Sequence, residues 1–278
     1  MDRTALTRPV VAKGASFLGW DTACVLEPTS QRGIHVRMPS SEVVPLGAMV
    51  FGVNRWCRFL TLRYGNHVLR IPEHLLGLIF ASGLDGVVIA PQDFRLPYDG
   101  RAKLFWDALK AAREPAGPLD WFTPAAPLTV AAAPDRSIEL VPAVAGYRRL
   151  SFEINVGYPE LGEMTLRGIV GEEQDLERLS SARAYWRTKT HRALALVARR
   201  LGWPQGDIGV WPASAAPAEK ARVLEELCWH RLLDMLGMFA ALMPAGGRIA
   251  GAVVTRRVGH EADIALMQRI RQQRLVPV

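Results

Sequence analysis

The sequence predicts an α+β protein built from two related halves. Three observations carry that expectation: short alternating apolar runs broken by Gly, Pro and Ser in each half, a helix–strand–helix succession closing each half, and a proline-rich stretch between them. At 278 residues the chain suits two domains of about 140 residues as well as one large domain. Hydrophobic residues make up 49% and charged residues 22%, so the chain can form a core and does not have the composition of a disordered segment.

Taken in order, residues 10–64 alternate VVAKGASFLGW, TACVLEP, GIHVRM and FLTLRY with turn residues, the pattern of an antiparallel sheet. EHLLGLIFAS at 73–82 reads as a helix, with Pro72 before it and Gly83 beyond its end. GVVIAP at 86–91 follows as a strand and AKLFWDALKAA at 102–112 as a helix with Leu104, Phe105, Ala108 and Leu109 on one face. Residues 114–129 contain four prolines and are expected to be a linker or crossover. The division is placed there, with residues 1–118 as one domain and 119–278 as the other.

The order then recurs. SIELVPA (137–143) and YRRLSFEINV (147–156) read as strands, HRALALVARRLG (191–202) as a helix, and about Glu219 to Met243 as a long helix. GRIAGAVVTRR is the closing strand and ADIALMQRIRQQR the closing helix. No repeat is visible residue by residue, so the kinship of the halves rests on element order.

A net charge of +7 and a pI near 9.7 suit an anionic partner such as a nucleotide, a phosphorylated sugar, nucleic acid or an acidic membrane surface. Only five of the basic residues are lysines, and in an alanine-rich chain that balance is equally compositional. No recognition helix or aromatic platform accompanies the charge, so nucleic acid is not expected as a partner. Cys24, Cys57 and Cys228 form no CxxC pair and suit a reducing cytoplasm. The N-terminus has no apolar run of signal-peptide length. The longest apolar stretches, Leu75 to Ala90 and Leu224 to Met243, are interrupted by charge, so no transmembrane segment is expected, while contact with a membrane surface stays open.

Three places could carry chemistry. In the long helix His230 and Asp234 lie four apart on one stripe with Val223, Leu227, Gly237 and Ala241, so both point into a contact. That spacing lets two side chains share one metal ion, and it equally lets them bond to each other. Glu73 and His74 open a helix, where the dipole favours a carboxylate and keeps an imidazole neutral; a plain cap is the alternative. His260 follows Gly259 where a strand gives way to a helix, a place that also suits an ordinary surface loop. Together the three form a set: His74, His230 and Asp234 as zinc ligands, Glu73 as the base for water and His260 as the acid for a departing amine.

The combination IPEHLLGLIFASGLDGVVIAPQDFRLPYDGRAKLFWDAL, SSARAYW, WHRLLDMLG and GAVVTRRVGHEADIALMQRI resembles the zinc-dependent UDP-3-O-acyl-N-acetylglucosamine deacetylases of lipid A biosynthesis, over nearly the whole chain. The resemblance implies two similar domains, each a small, mostly antiparallel sheet packed on a helical layer, with the zinc site in the cleft between them. It implies the same five residues in the same roles, with Zn2+ as cofactor and an acylated sugar nucleotide or related N-acyl compound as substrate.

Several positions depart from the family pattern. Arg231 stands where the family has a lysine that contacts substrate, and its planar fork reaches differently. Met238 replaces an aspartate that would orient His260, at a cost of about 10- to 100-fold in rate if nothing substitutes for it. Ala184 replaces a threonine hydroxyl, worth roughly 100-fold or more as an oxyanion donor. Arg101 replaces a serine, and a residue near Leu18 replaces a histidine. The leading expectation is a zinc-dependent N-deacetylase; the alternative is a catalytically impaired paralogue serving as a metal-containing binding or regulatory subunit.

Overall fold

The computed structural model describes residues 1–16, 20–54, 59–186, 209–210, 216–243, 246–273 and 275–278. The first half runs β1 (Arg3–Leu6), β2 (Val10–Ala15), β3 (Asp21–Pro28), β4 (Ile34–Arg37), β5 (Val43–Pro45), β6 (Val50–Val53), β7 (Leu60–Tyr64), β8 (His67–Arg70), α1 (Glu73–Ala81), β9 (Val87–Pro91), α2 (Lys103–Leu109) and β10 (Arg113–Gly117). The second runs β11 (Trp121–Pro124), β12 (Leu128–Ala133), β13 (Arg136–Pro142), β14 (Leu150–Tyr158), β15 (Gly162–Ile169), α3 (Glu173–Ser181), β16 (Tyr185–Trp186), β17 (Gly209–Val210), α4 (Pro217–Ala240), β18 (Arg248–Ile249), β19 (Gly251–Arg256), α5 (His260–Gln272) and β20 (Leu275–Pro277). The helix expected at 191–202 lies outside the described residues.

Each half holds a five-stranded sheet, in the orders β2-β3-β9-β4-β5 and β12-β13-β19-β14-β15. The two have one topology. In each, the first hairpin lies antiparallel to the central strand and the second hairpin places its leading strand parallel to it. A parallel neighbour requires a crossover, and α1 and α4 occupy the corresponding places in the two crossovers. Burial alternates along β3 and β14, as it must in strands with one face on a core. The expected pair of similar sheet-plus-helix units is therefore present.

The proline-rich stretch is not a bare linker. Arg113–Gly117 pairs with β1, and Trp121–Pro124 pairs with β18 and β20. Prolines fit there because β10 belongs to a two-stranded ribbon and Pro124 ends its strand, so few ladder bonds are lost. Reading proline only as a breaker hid both strands.

All nine residues of α1 are buried, and α4 is buried from Leu227 to Ala240 apart from the half-buried His230. A helix apolar on every side belongs inside a core, and one continuous cluster of buried side chains spans both halves. The two helices meet backbone to backbone. A Cβ on Gly77 would overlap the carbonyl of Leu233, and a Cβ on Gly237 would overlap that of Glu73. The contact is reciprocal, since Glu73 and Leu233 each precede their own helix's glycine by four residues. His74 and Asp234 hold the next position in each helix, three residues before the glycine. No described helix is long and apolar enough to cross a membrane.

Candidate metal centre and catalytic cleft

The glycine contact sets what lies beside it. His74 and Asp234, at equivalent places on touching helices, bring His74 Nε2 to 3.5 Å from Asp234 Oδ1. One turn earlier on α4, His230 Nε2 lies 3.6 Å from Asp234 Oδ2. From the start of α5, His260 Nε2 reaches the same oxygen at 3.6 Å. Ligand atoms of His74, His230 and Asp234 all fall within 4.8 Å of one another, and so do those of Glu73, Asp234 and His260. The five residues singled out in the sequence thus form one cluster of side chains.

Backbone carbonyls orient the two histidines of the first group. Arg101 O lies 3.0 Å from His74 Nδ1, and Ala182 O lies 3.4 Å from His230 Nδ1. A carbonyl oxygen only accepts, so each ring carries its proton on Nδ1 and turns the Nε2 lone pair toward Asp234. The two carbonyls belong to segments that are themselves joined, because Ala184 N donates to Gly100 O at 2.9 Å and Ala102 N to Ser180 O at 3.0 Å. Arg183 ties the second segment to α4 through Glu226 at 2.6 and 2.9 Å. These segments act on the histidines through main chain, which is why side-chain changes at Arg101 and Ala184 leave that support in place.

Two imidazole lone pairs facing a carboxylate call for a positive centre between them. Asp234 Oδ1 is buried with no hydrogen-bond partner among the described residues. A tetrahedral ion bound at roughly 2.0–2.1 Å needs its ligands about 3.3 Å apart; His74 lies 3.5 Å from Asp234 Oδ1 and His230 3.6 Å from Oδ2, and one ligand atom from each of the three lies within 4.8 Å of the others. Two nitrogens and one carboxylate oxygen form a donor set that suits zinc and leaves one position open. His74, His230 and Asp234 fit the metal on these grounds.

Electrostatics separates the remaining roles. Burial raises the pKa of Glu73, its largest influence, against the lowering pull of His260 and His74. Leu60 N donates to Glu73 Oε1 at 3.3 Å, while Oε2 is buried with no partner among the described residues. Burial drives His230 down to about 4, so this ring is neutral and able to ligate. On His74 burial also favours the neutral ring, but the neighbouring carboxylate of Asp234 outweighs it and raises the pKa. His260 is raised to about 9, burial being overcome by Asp234, Asp263 and Glu73. Asp234 is held well below the usual carboxylate range: burial opposes this, and the surrounding histidines prevail.

Two features were not foreseen. Arg231 is buried and turns both terminal nitrogens onto Asp263, with Nη1 to Oδ2 at 2.8 Å. Asp263 Oδ2 in turn lies 3.4 Å from His260 Nδ1. The signal was available in GHEAD, where His260 and Asp263 stand three apart in the first turn of a helix. Residue 18 lies outside the described residues, as does Cys57; Cys24 and Cys228 are buried free thiols. Compared with known families, residues 3–272 match the family model described as LpxC, UDP-3-O-acyl N-acetylglycosamine deacetylase.

Proposed function

The chain belongs to the LpxC family of UDP-3-O-acyl N-acetylglycosamine deacetylases, and from that premise we propose that it is a zinc-dependent amidohydrolase. Its substrate would be an N-acyl amino sugar such as UDP-3-O-acyl-N-acetylglucosamine, or a related N-acyl compound. The observation that carries this reading is the pair of histidines whose Nδ1 atoms rest on main-chain carbonyls while both Nε2 atoms face Asp234.

His74, His230 and Asp234 would hold the zinc. When bound, the ion polarises the amide carbonyl and makes water at the site more acidic. Glu73, with Oε2 buried and without a partner among the described residues and its pKa raised by burial, takes a proton from the water as the new C–O bond forms. His260, whose pKa the carboxylates of Asp234, Asp263 and Glu73 raise, gives a proton to the amine nitrogen as the C–N bond breaks. The products are a free amine and a carboxylate. Arg231 keeps both terminal nitrogens on Asp263, which fixes its guanidinium and sets it apart from a mobile lysine at that place. The excess positive charge suits a nucleotide-linked, anionic substrate, and we place the reaction in the cytoplasm.

One observation favours a second reading. Ala184 offers no hydroxyl where the resemblance implies an oxyanion donor, which suits a metal-containing paralogue without turnover. Metal analysis together with a deacetylation assay tests both. The first reading expects about one zinc per chain and release of carboxylate that disappears in Glu73→Gln. Bound zinc without hydrolysis of any acylated amino sugar leaves the second, and a protein that refuses zinc removes both.

A further inference from the structure

An imidazole that passes a proton from Nε2 works only if its ring is held at Nδ1. Among the residues that could hold His260, Met238 lies one turn beyond Asp234 on α4. It is 1% exposed, packed in the core, and its thioether is a weak acceptor. Asp263 stands in the first turn of α5. Its side chain is 1% exposed, and Oδ2 lies 3.4 Å from His260 Nδ1. Arg231 holds the same carboxylate with a two-pronged contact from α4, immediately after the metal-ligating His230. A carboxylate oxygen has two lone pairs, so Oδ2 can accept from Arg231 and from His260 together. His260 Nδ1 is buried with no hydrogen-bond partner among the described residues, so the 3.4 Å contact is not yet a settled hydrogen bond; active-site contacts are often long or misaligned before substrate is in place.

We infer that Asp263 is the positioning residue for His260, aiming its Nε2 into the cleft, and that Arg231 is the clamp that keeps Asp263 in register. The chain has thereby moved the carboxylate behind its acid from α4 to α5, and Arg231 acts through Asp263 rather than through direct contact with substrate. The catalytic consequence rests on the deacetylase reading above; the positioning itself does not.

Two measurements test it. In imidazole ¹H–¹⁵N spectra of the zinc-loaded protein, with the His260 signals assigned by their loss in His260→Gln, the Nδ1–H proton is expected to be hydrogen-bonded and protected. Asp263→Asn should shift that resonance and expose it to exchange. In the deacetylation assay Asp263→Asn should lower kcat by about 10- to 100-fold with little change in KM, and Met238→Asp placed in the Asp263→Asn background should recover part of it. If Asp263→Asn fails to fold because Arg231 is left with an uncompensated charge, Arg231→Met/Asp263→Asn removes both charges, and the spectrum is read there. An unchanged His260 resonance in the folded variant overturns the inference. Absence of turnover in the wild-type zinc protein counts against the deacetylase reading, and the spectra still decide on Asp263.

Discussion

The two halves share a sheet topology and a helix contact but contribute differently to the cleft. In the first half the chemistry is concentrated at the start of a short helix, where Glu73 and His74 open α1 directly after Pro72. In the second it is spread along the middle of the 24-residue α4 and the start of α5. The equivalent places on the touching helices carry His74 and Asp234, a nitrogen donor and an oxygen donor. The difference teaches that the frame is nearly symmetric while the donors are not. A reciprocal contact of backbones brings the groups together, and on the proposed reading unlike residues at matching positions would make a site that binds a cation and directs a proton one way.

The largest test of that comparison is removal of the matching donors. His74→Ala and Asp234→Ala are each expected to reduce zinc from about one per chain to near zero, measured on the purified proteins by elemental analysis. Retention of full zinc by either would break the pairing. Next come the residues outside the ligand set. Glu73→Gln should keep zinc and lose about 100- to 10,000-fold in kcat.

Smaller is the effect of supplying the missing hydroxyl. Ala184→Thr should raise kcat by about 10-fold or more, part of the roughly 100-fold that one oxyanion donor is worth. The main-chain bond of Ala184 to Gly100 keeps the segment in place for it. Gly77→Ala and Gly237→Ala sharpen the symmetry itself, because each Cβ meets a carbonyl of the opposite helix. Both should destabilise by about 1–3 kcal/mol in denaturant titrations, and by similar amounts. A large effect at one and none at the other would show that the contact is not reciprocal in energy.

The smallest expected effect depends on pH. Burial opposes ionisation of Asp263, but Arg231 outweighs it and lowers the carboxyl pKa in the folded protein. Its stabilising contribution is therefore complete above the unfolded value of about 3.9 and is lost as pH falls through the folded value. In metal-free protein, the difference in Tm between wild type and Asp263→Asn should be largest at about pH 5–6, shrink below about pH 4 as Asp263 protonates, and shrink again as pH rises past neutrality toward the raised value of His260.

Much of this was legible in the sequence because it is written in local signals. Pro72 and Gly83 bracket α1, the stripe through His230, Asp234 and Gly237 gives the inward face of α4, and the order of strands and helices recurs between the halves. What stayed hidden depends on contacts between distant segments. Strand pairing made a two-stranded ribbon of the proline-bearing Arg113–Gly117 and the middle strand of a small sheet of Trp121–Pro124, and no local pattern announces a partner more than a hundred residues away. The carbonyls of Arg101 and Ala182 act on the histidines without regard to their own side chains, so residue type carries no trace of the role. Met238 suggested an unsupported His260; the carboxylate had to be sought on the next helix, where Asp263 is one turn away.

The backbone contact at Gly77 and Gly237 has a thermodynamic consequence. Because His74 belongs to one helix and His230 and Asp234 to the other, an ion held by all three is a cross-link across the seam between the halves. Binding and docking of the helices are then linked functions: whatever presses the helices together must raise metal affinity, and the metal must strengthen the docking by the same free energy. The dissociation constant for zinc, followed through substitutions far from the ligands, would serve as a gauge of how tightly the two halves are closed.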